Sequence, residues 1–103
     1  MDIFKDKIVI VTGGAAGIGK AICEELGRRG AIIIAADINL DKVYNVVLEI
    51  CSKGGRATDV HLDVSDTDAV EKFVIDTAAE YGRLDYIFNN AGINIYGEVR
   101  DMS

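Results

Sequence analysis

The stretch KIVIVTGGAAGIG, residues 7–19, decides the fold of this chain. Its apolar and mostly β-branched residues 8–11 end abruptly at Thr12 and Gly13, and Gly17 and Gly19 then open an amphipathic segment. A short run that is apolar on both faces is typical of a strand buried within a parallel sheet. Glycines let a phosphate approach the backbone, and a helix start adds unpaired N–H groups and positive potential. The stretch therefore predicts a strand, a turn and a helix that together bind an anion.

The spacing of these glycines, G-x-x-x-G-x-G, differs from the commoner dinucleotide fingerprint G-x-G-x-x-G. Thr12-Gly13 followed by Gly17-Ile18-Gly19 resembles the T-G-x-x-x-G-I-G signature of the short-chain dehydrogenase/reductase family. A merely flexible turn is the alternative, but it leaves the buried strand before and the helix after unexplained. The resemblance implies a cofactor-binding turn made of Gly13, Ala15, Ala16, Gly17, Ile18 and Gly19.

Length and composition bound the class of protein. The chain has 103 residues, half of them hydrophobic, so residues 1–103 form at most one domain with a real core. Its net charge of −6 argues against nucleic acid or an anionic membrane as a partner. No apolar run approaches the roughly 20 residues that span a bilayer. Cys23 and Cys51 form no C-x-x-C motif, which indicates reduced packing residues in a cytoplasmic protein.

Beyond the glycine turn, helical and extended patterns alternate. Apolar strands are predicted at residues 31–36, 57–64 and 84–88. One amphipathic helix is predicted before the first of these strands, a second between the first and the second, and a third between the second and the last. Asn39 and Ser65 are predicted to cap the second and third helices, and residues 93–103 read as a loop. The second helix carries an apolar stripe of Leu40, Val43, Tyr44, Val47, Leu48 and Cys51. The order β-α-β-α-β-α-β predicts an α/β fold, an incomplete Rossmann-type doubly wound parallel sheet with strand order 3-2-1-4.

An acidic residue stands where such a fold holds the adenosine ribose. Asp37 ends the second strand, 18 residues after Gly19, and a carboxylate there can accept both ribose hydroxyls. In the family, NADP users often carry Lys or Arg at the positions of Ala16 and Ile38. We therefore predict that the cofactor is NAD, preferred over NADP, and that Asp37 and Ile38 border it. A loop aspartate that begins the turn into a helix is the alternative.

Two further motifs match the family in order and spacing. Asp63-Val64 ends the third strand, where the resemblance implies that the carboxylate takes the exocyclic amino group of adenine. Asn89-Asn90-Ala91-Gly92 matches the N-N-A-G motif, and Asn side chains there can tie adjacent strand ends together. The resemblance thus adds Asp63, Val64, Asn90, Ala91 and Gly92 to the candidate cofactor-binding residues.

The catalytic residues that the resemblance implies are not found in this chain. The family uses a Tyr-x-x-x-Lys pair with an upstream Ser, and the Tyr acts as general acid or base. The four tyrosines, Tyr44, Tyr81, Tyr86 and Tyr96, have Leu48, Asp85, Asn90 and Arg100 four residues later. His61 is the only histidine, and the sequence suggests neither a catalytic nor a metal-binding role for it.

Two classes of function remain. The first is the N-terminal, NAD-binding part of an oxidoreductase that acts on a small alcohol or carbonyl substrate, expected to be a homo-oligomer. The second is a free-standing module that binds an adenine dinucleotide without turning it over. A further expectation concerns the fourth strand, residues 84–88, which would form an unprotected sheet edge and promote self-association unless the tail after it covers part of that edge.

Overall fold

The structure of the protein, a computed structural model, describes residues 3–90 and the backbone of residues 94–98. Helices and strands alternate as the sequence predicts as far as residue 89. In chain order they are β1 (Ile8–Thr12), α1 (Gly17–Arg28), β2 (Ile32–Asp37), α2 (Leu40–Ser52), β3 (Arg56–His61), α3 (Thr67–Tyr81), β4 (Tyr86–Asn89) and β5 (Asn94–Glu98).

The strands form one sheet in the order β3-β2-β1-β4-β5, which confirms the predicted order 3-2-1-4. β1 lies inside the sheet and pairs in parallel with β2 on one side and β4 on the other. Its partners run in register, so Thr12 lies beside Ala36 and Asn89 at the carboxyl ends of the three strands. The glycine turn therefore begins where the carboxyl ends of β1, β2 and β4 lie side by side.

Both faces of the sheet are packed, which is why β1 is apolar without alternation. Val9 and Val11 belong to the core beneath α1 and α2, whereas Ile8 and Ile10 pack on the opposite side with residues of α3. All five residues of β1 are buried. Complete burial of an aliphatic side chain stabilises the fold by about 1.5–3 kcal/mol. The helices thus cover the sheet from both sides, as a doubly wound fold requires.

The fourth strand is not the open edge that the sequence suggested. β5 pairs with β4 in an antiparallel arrangement, with Asn94 beside Asn89 and Glu98 beside Tyr86. The expectation of a loop is therefore wrong at residues 94–98, and the expectation of an unprotected β4 is wrong as well; residues 93 and 99–103 lie outside the described residues. Residues 94–98 are only weakly apolar, so the local pattern does not predict a strand. The pairing satisfies backbone groups along β4 that would otherwise have no partner in the sheet.

The helix caps follow the sequence prediction in one place and depart from it in another. Asn39 caps α2 by accepting a hydrogen bond from the Lys42 N–H at 3.1 Å, and Gly82 ends α3 in a left-handed conformation. Asp66, not Ser65, caps α3. The Ser65 hydroxyl instead donates to Asp63, which removes it from the helix start. In the described part of the chain, no helix has the length and apolar character needed to span a bilayer.

A buried carboxylate holds the amino ends of β1 and β4 together. Asp85 is 7% exposed, and its Oδ2 accepts hydrogen bonds from the Ile8 N–H at 2.8 Å and from Arg83 Nε at 2.9 Å. A buried N–H that loses its acceptor costs about 1–3 kcal/mol. Asp85 therefore fixes the end of the sheet that lies opposite the glycine turn.

Replacing Asp85 by Ala is expected to lower the free energy of unfolding by about 1–3 kcal/mol, because the Ile8 N–H would remain buried without an acceptor. Urea denaturation followed by circular dichroism measures the change. Asp76→Ala is the matched control, since Asp76 is exposed and pairs with Lys72 in an i,i+4 pair of α3. It should alter stability by about 0.5 kcal/mol or less. Equal effects of the two substitutions would contradict a structural role for Asp85.

Candidate functional site

The carboxyl ends of β1, β2 and β4 meet at the point where the chain order of the sheet reverses. From β1 the chain turns through α1 to β2 on one side, whereas β4 lies on the other side. Because successive helices then leave in opposite directions, a crevice forms outside these strand ends. Most of the residues that the sequence singles out lie around this crevice.

The glycine turn leads directly into an uncapped helix. Gly13 and Gly17 have positive φ angles of 67° and 59°, which residues with a side chain rarely adopt. Ala16, at the N-cap, is extended, and its methyl group makes no capping hydrogen bond. The first amides of a helix have no acceptor within the helix, and here these belong to Gly17, Ile18 and Gly19. Three N–H groups and the positive end of the α1 dipole thus lie together at the crevice.

Gly19 is required by a backbone contact. A Cβ at this position would lie 2.0 Å from the Gly13 carbonyl oxygen and 2.9 Å from Asn90 Nδ2. The helix start therefore presses against the turn that precedes it. This contact explains the third glycine of the motif without reference to any ligand.

Side chains from β4 and the residue after it hold the turn from the other side. Thr12 Oγ1 donates to Asn89 Oδ1 at 2.8 Å, and Asn90 Nδ2 donates to the Gly13 carbonyl at 3.3 Å. The Asn side chains do tie adjacent strand ends together, as the sequence suggested. Thr12 is buried, and its hydrogen bond to Asn89 was not predicted from the sequence. Ala91 and Gly92 lie outside the described residues.

Asp37 lies at the carboxyl end of β2 and reaches across to the glycine turn. Its Oδ2 accepts a hydrogen bond from the Ala15 N–H at 3.0 Å, and its Oδ1 accepts one from the Asn39 N–H at 2.9 Å. The side chain of Ile38, which follows, is 61% exposed. Asp37 is thus a partly buried carboxylate beside the turn.

Asp63 and Val64 follow β3, at the same end of the sheet as Asp37. The N–H of Leu62 donates to the Asp37 carbonyl at 3.0 Å, which brings this segment beside the end of β2. Hydrogen bonds from the Ser65 hydroxyl and backbone N–H hold the pKa of Asp63 below its usual value. Asp63 therefore stays ionised near neutral pH and can only accept hydrogen bonds. Val64 is 39% exposed.

Other features of the described residues do not compete with this site. A cleft of about 570 Å³ lies between the C-terminal halves of α1 and α2, and it contains none of the predicted site residues. Glu24, Glu25 and Glu49 line that cleft, and helix C-termini disfavour anions. Among the described side chains, no cluster of His, Cys, Asp and Glu could hold a metal ion. Burial raises the pKa of the Cys23 thiol to about 12, which fits a packing residue.

Comparison with known proteins gives a consistent result. A family profile described as short chain dehydrogenase matches residues 7–103. The chain is 39% identical to meso-2,3-butanediol dehydrogenase from Serratia marcescens over 100 residues, which cover 97% of this chain and 39% of that protein. It is 42% identical to cyclopentanol dehydrogenase from a Comamonas species over 98 residues, which cover 95% of this chain and 39% of that protein. The chain thus spans about two fifths of the length of these relatives.

Solved structures share the fold. One is a putative short-chain dehydrogenase/reductase from Burkholderia xenovorans, with a TM-score of 0.80 and 33% identity over 84% of this chain and 36% of that one. Another is a metagenomic short-chain oxidoreductase solved in complex with NADP, with a TM-score of 0.78 and 33% identity over 82% of this chain and 38% of that one.

Replacing Gly19 by Ala is expected to destabilise the protein by about 1–3 kcal/mol, because the added methyl group would overlap the Gly13 carbonyl. Denaturation with urea measures the loss. Ala21→Ser is the control, since Ala21 lies in the same helix with its side chain exposed and should tolerate a small polar group. A Gly19→Ala protein as stable as the Ala21→Ser protein would show that the turn and the helix start do not touch.

Proposed function

Because the chain belongs to the short-chain dehydrogenase family, we propose that it forms the N-terminal, NAD-binding part of an oxidoreductase. The whole protein would transfer a hydride between NAD(H) and a small alcohol or carbonyl substrate. One observation carries the proposal: the uncapped start of α1 and the Asp37 carboxylate lie beside the same glycine turn. Phosphate and ribose are the two groups that these donors and acceptors suit.

Each of the site residues has a part in this proposal. The amides of Gly17, Ile18 and Gly19 would bind the pyrophosphate, with Gly13, Ala15 and Ala16 completing the turn. Asp37 would accept the adenosine ribose hydroxyls, beside Ile38. Asp63 and Val64 would border the adenine, and Asn90, Ala91 and Gly92 would make room for the second ribose. When bound, the cofactor would supply the hydride acceptor or donor.

The proposed preference for NAD rests on the charge of Asp37. A 2′-phosphate on the ribose would lie against this carboxylate, and two like charges at such a distance repel each other unless a cation intervenes. Ala16 and Ile38 stand where NADP-binding relatives often carry a cation, and neither side chain is charged. Family membership does not decide the question, because one structural relative was solved with NADP.

We expect residues 1–103 alone to have no dehydrogenase activity. None of the four tyrosines has a lysine four residues later. Tyr44 is also half exposed in α2. The nicotinamide half of the site and the substrate pocket would come from further sequence in the whole protein.

A free-standing module that binds NAD without turning it over is the second candidate. It is favoured by the lack of a Tyr-x-x-x-Lys pair in residues 1–103. The coding sequence downstream of Ser103 separates the two candidates. A continuation with a Tyr-x-x-x-Lys pair supports the enzyme, and a stop codon supports the module.

The proposal includes the setting in which the protein acts. We infer a cytoplasmic protein that forms a homo-oligomer and does not bind nucleic acid or membranes. The acidic composition disfavours nucleic acid and anionic membranes as partners, and the two free cysteines, Cys23 and Cys51, are typical of a reducing compartment.

Titration calorimetry with NAD and NADP tests the proposed cofactor. The wild-type protein should bind NAD weakly, because only the adenosine half of the site is present, and NADP more weakly still. Asp37→Ala should shrink the preference about tenfold or more, mainly because repulsion of the 2′-phosphate is lost. Asp41→Ala removes a carboxylate from the exposed first turn of α2 and should leave the preference unchanged. Equal affinities in the wild type would contradict the assignment of NAD.

A further inference from the structure

Both oxygens of the Asp37 carboxylate already accept hydrogen bonds from backbone amides. The Ala15 N–H is bound to Oδ2 and the Asn39 N–H to Oδ1, at 3.0 and 2.9 Å. Ala15 lies in the glycine turn, 22 residues before Asp37, whereas Asn39 is the N-cap of α2. One side chain therefore connects the turn after β1 with the start of the second helix.

A second amide of the turn is held by the same strand end. The Gly14 N–H donates to the Ala36 carbonyl at 3.2 Å. Two consecutive amides, those of Gly14 and Ala15, are thus bound by the last two residues of β2. Since each N–H is engaged, neither is directed at a phosphate. The turn is divided into an anchored part, Gly14 and Ala15, and a part that faces the crevice, Gly17 to Gly19.

The hydrogen bonds to the Gly14 and Ala15 amides restrict a turn whose glycines are conformationally free. Gly13 and Gly17 flank the anchored part with positive φ angles, and glycine loses more conformational freedom on folding than any other residue. Ala15 contributes only a methyl group to the core. Without the bond to Asp37, the Ala15 amide would lose its acceptor, and the amides that follow it would be less well fixed.

We propose that Asp37 is a positioning residue for the pyrophosphate-binding start of α1, acting through the Ala15 N–H. This role rests on the proposed function and is separate from the acceptance of ribose hydroxyls. The two roles are compatible because each carboxylate oxygen has a second lone pair. Exchanging Asp37 to change the cofactor would therefore also weaken the binding of the pyrophosphate that NAD and NADP share.

Inorganic pyrophosphate distinguishes this role from the ribose contact, because it contains no ribose. Removing a carboxylate near an anion site should tighten anion binding if charge is all that matters. If Asp37 positions the turn, Asp37→Ala should instead weaken pyrophosphate binding about three- to tenfold. Asp37→Asn removes the same charge but keeps an oxygen that can accept the Ala15 N–H, so it should bind pyrophosphate more tightly than Asp37→Ala. Titrations followed by NMR of labelled protein measure all three affinities.

Hydrogen exchange of the Ala15 amide in the absence of ligand provides an independent readout. Asp37→Ala should accelerate this exchange at least tenfold, while the Val9 amide within β1 should exchange as in the wild type. Asp41→Asn, which removes a nearby carboxylate without a bond to the turn, should leave Ala15 unchanged. Unaltered Ala15 exchange in Asp37→Ala, or pyrophosphate binding as tight as in the wild type, would overturn the proposal.

The two proposals can fail separately. If the wild-type protein binds pyrophosphate but shows no affinity for NAD, the proposed function fails. The positioning role is then still decided by whether Asp37→Ala weakens or tightens pyrophosphate binding. If NAD binds and Asp37→Ala leaves the pyrophosphate affinity unchanged, only the positioning role is overturned.

Discussion

The close approach of the Gly19 backbone to the Gly13 carbonyl oxygen is the contact on which the site depends. A methyl group at Gly19 would lie 2.0 Å from that oxygen, so no other residue type fits without moving the backbone. The same carbonyl accepts a hydrogen bond from Asn90. The end of β1, the start of α1 and the residue after β4 therefore meet around one oxygen atom. This arrangement aims the first amides of α1 at the crevice.

The sheet holds the contact between Gly19 and Gly13 in place. β1 can carry the turn at its end because it is buried on both faces and flanked by strands on both sides. At its amino end, the Asp85 carboxylate binds the Ile8 N–H, and at its carboxyl end Thr12 binds Asn89. The strand is thus held at both ends as well as on both faces. Rigid placement of this kind is what a site built from backbone amides requires, because amides cannot adjust as side chains do.

Most of the fold could be predicted because its signals are local. The apolar run before Gly13, the glycine spacing and the Asn39 cap are each contained within a few residues. The strand order followed from the length and handedness of the crossovers. The site residues around the crevice could also be placed, since the carboxyl ends of parallel strands meet at one edge. The Asn89 and Asn90 ties follow from that placement.

The features that escaped prediction depend on partners distant in sequence. The pairing of β5 with β4 is decided by backbone hydrogen bonds, to which the weak apolar pattern of residues 94–98 gives no clue. The predicted apolar stripe of α2 is displaced from the face that packs on the sheet, because Val46 and Ile50 of that face lie outside the stripe. Val43, Val46, Val47 and Ile50 are buried, while Leu40, Tyr44 and Leu48 are about half exposed. The bond from Ala15 to Asp37 joins residues 22 positions apart and has no sequence signal.

We propose that this chain builds the adenosine half of a dinucleotide site at the carboxyl ends of β1 and β2. A titration of isotopically labelled protein with ADP-ribose and, separately, with nicotinamide mononucleotide tests it most directly. ADP-ribose should shift the amide signals of Gly17, Ile18, Gly19 and Asp37, and nicotinamide mononucleotide should shift them little. Shifts centred on the cleft between α1 and α2, or equal responses to both ligands, would contradict the account.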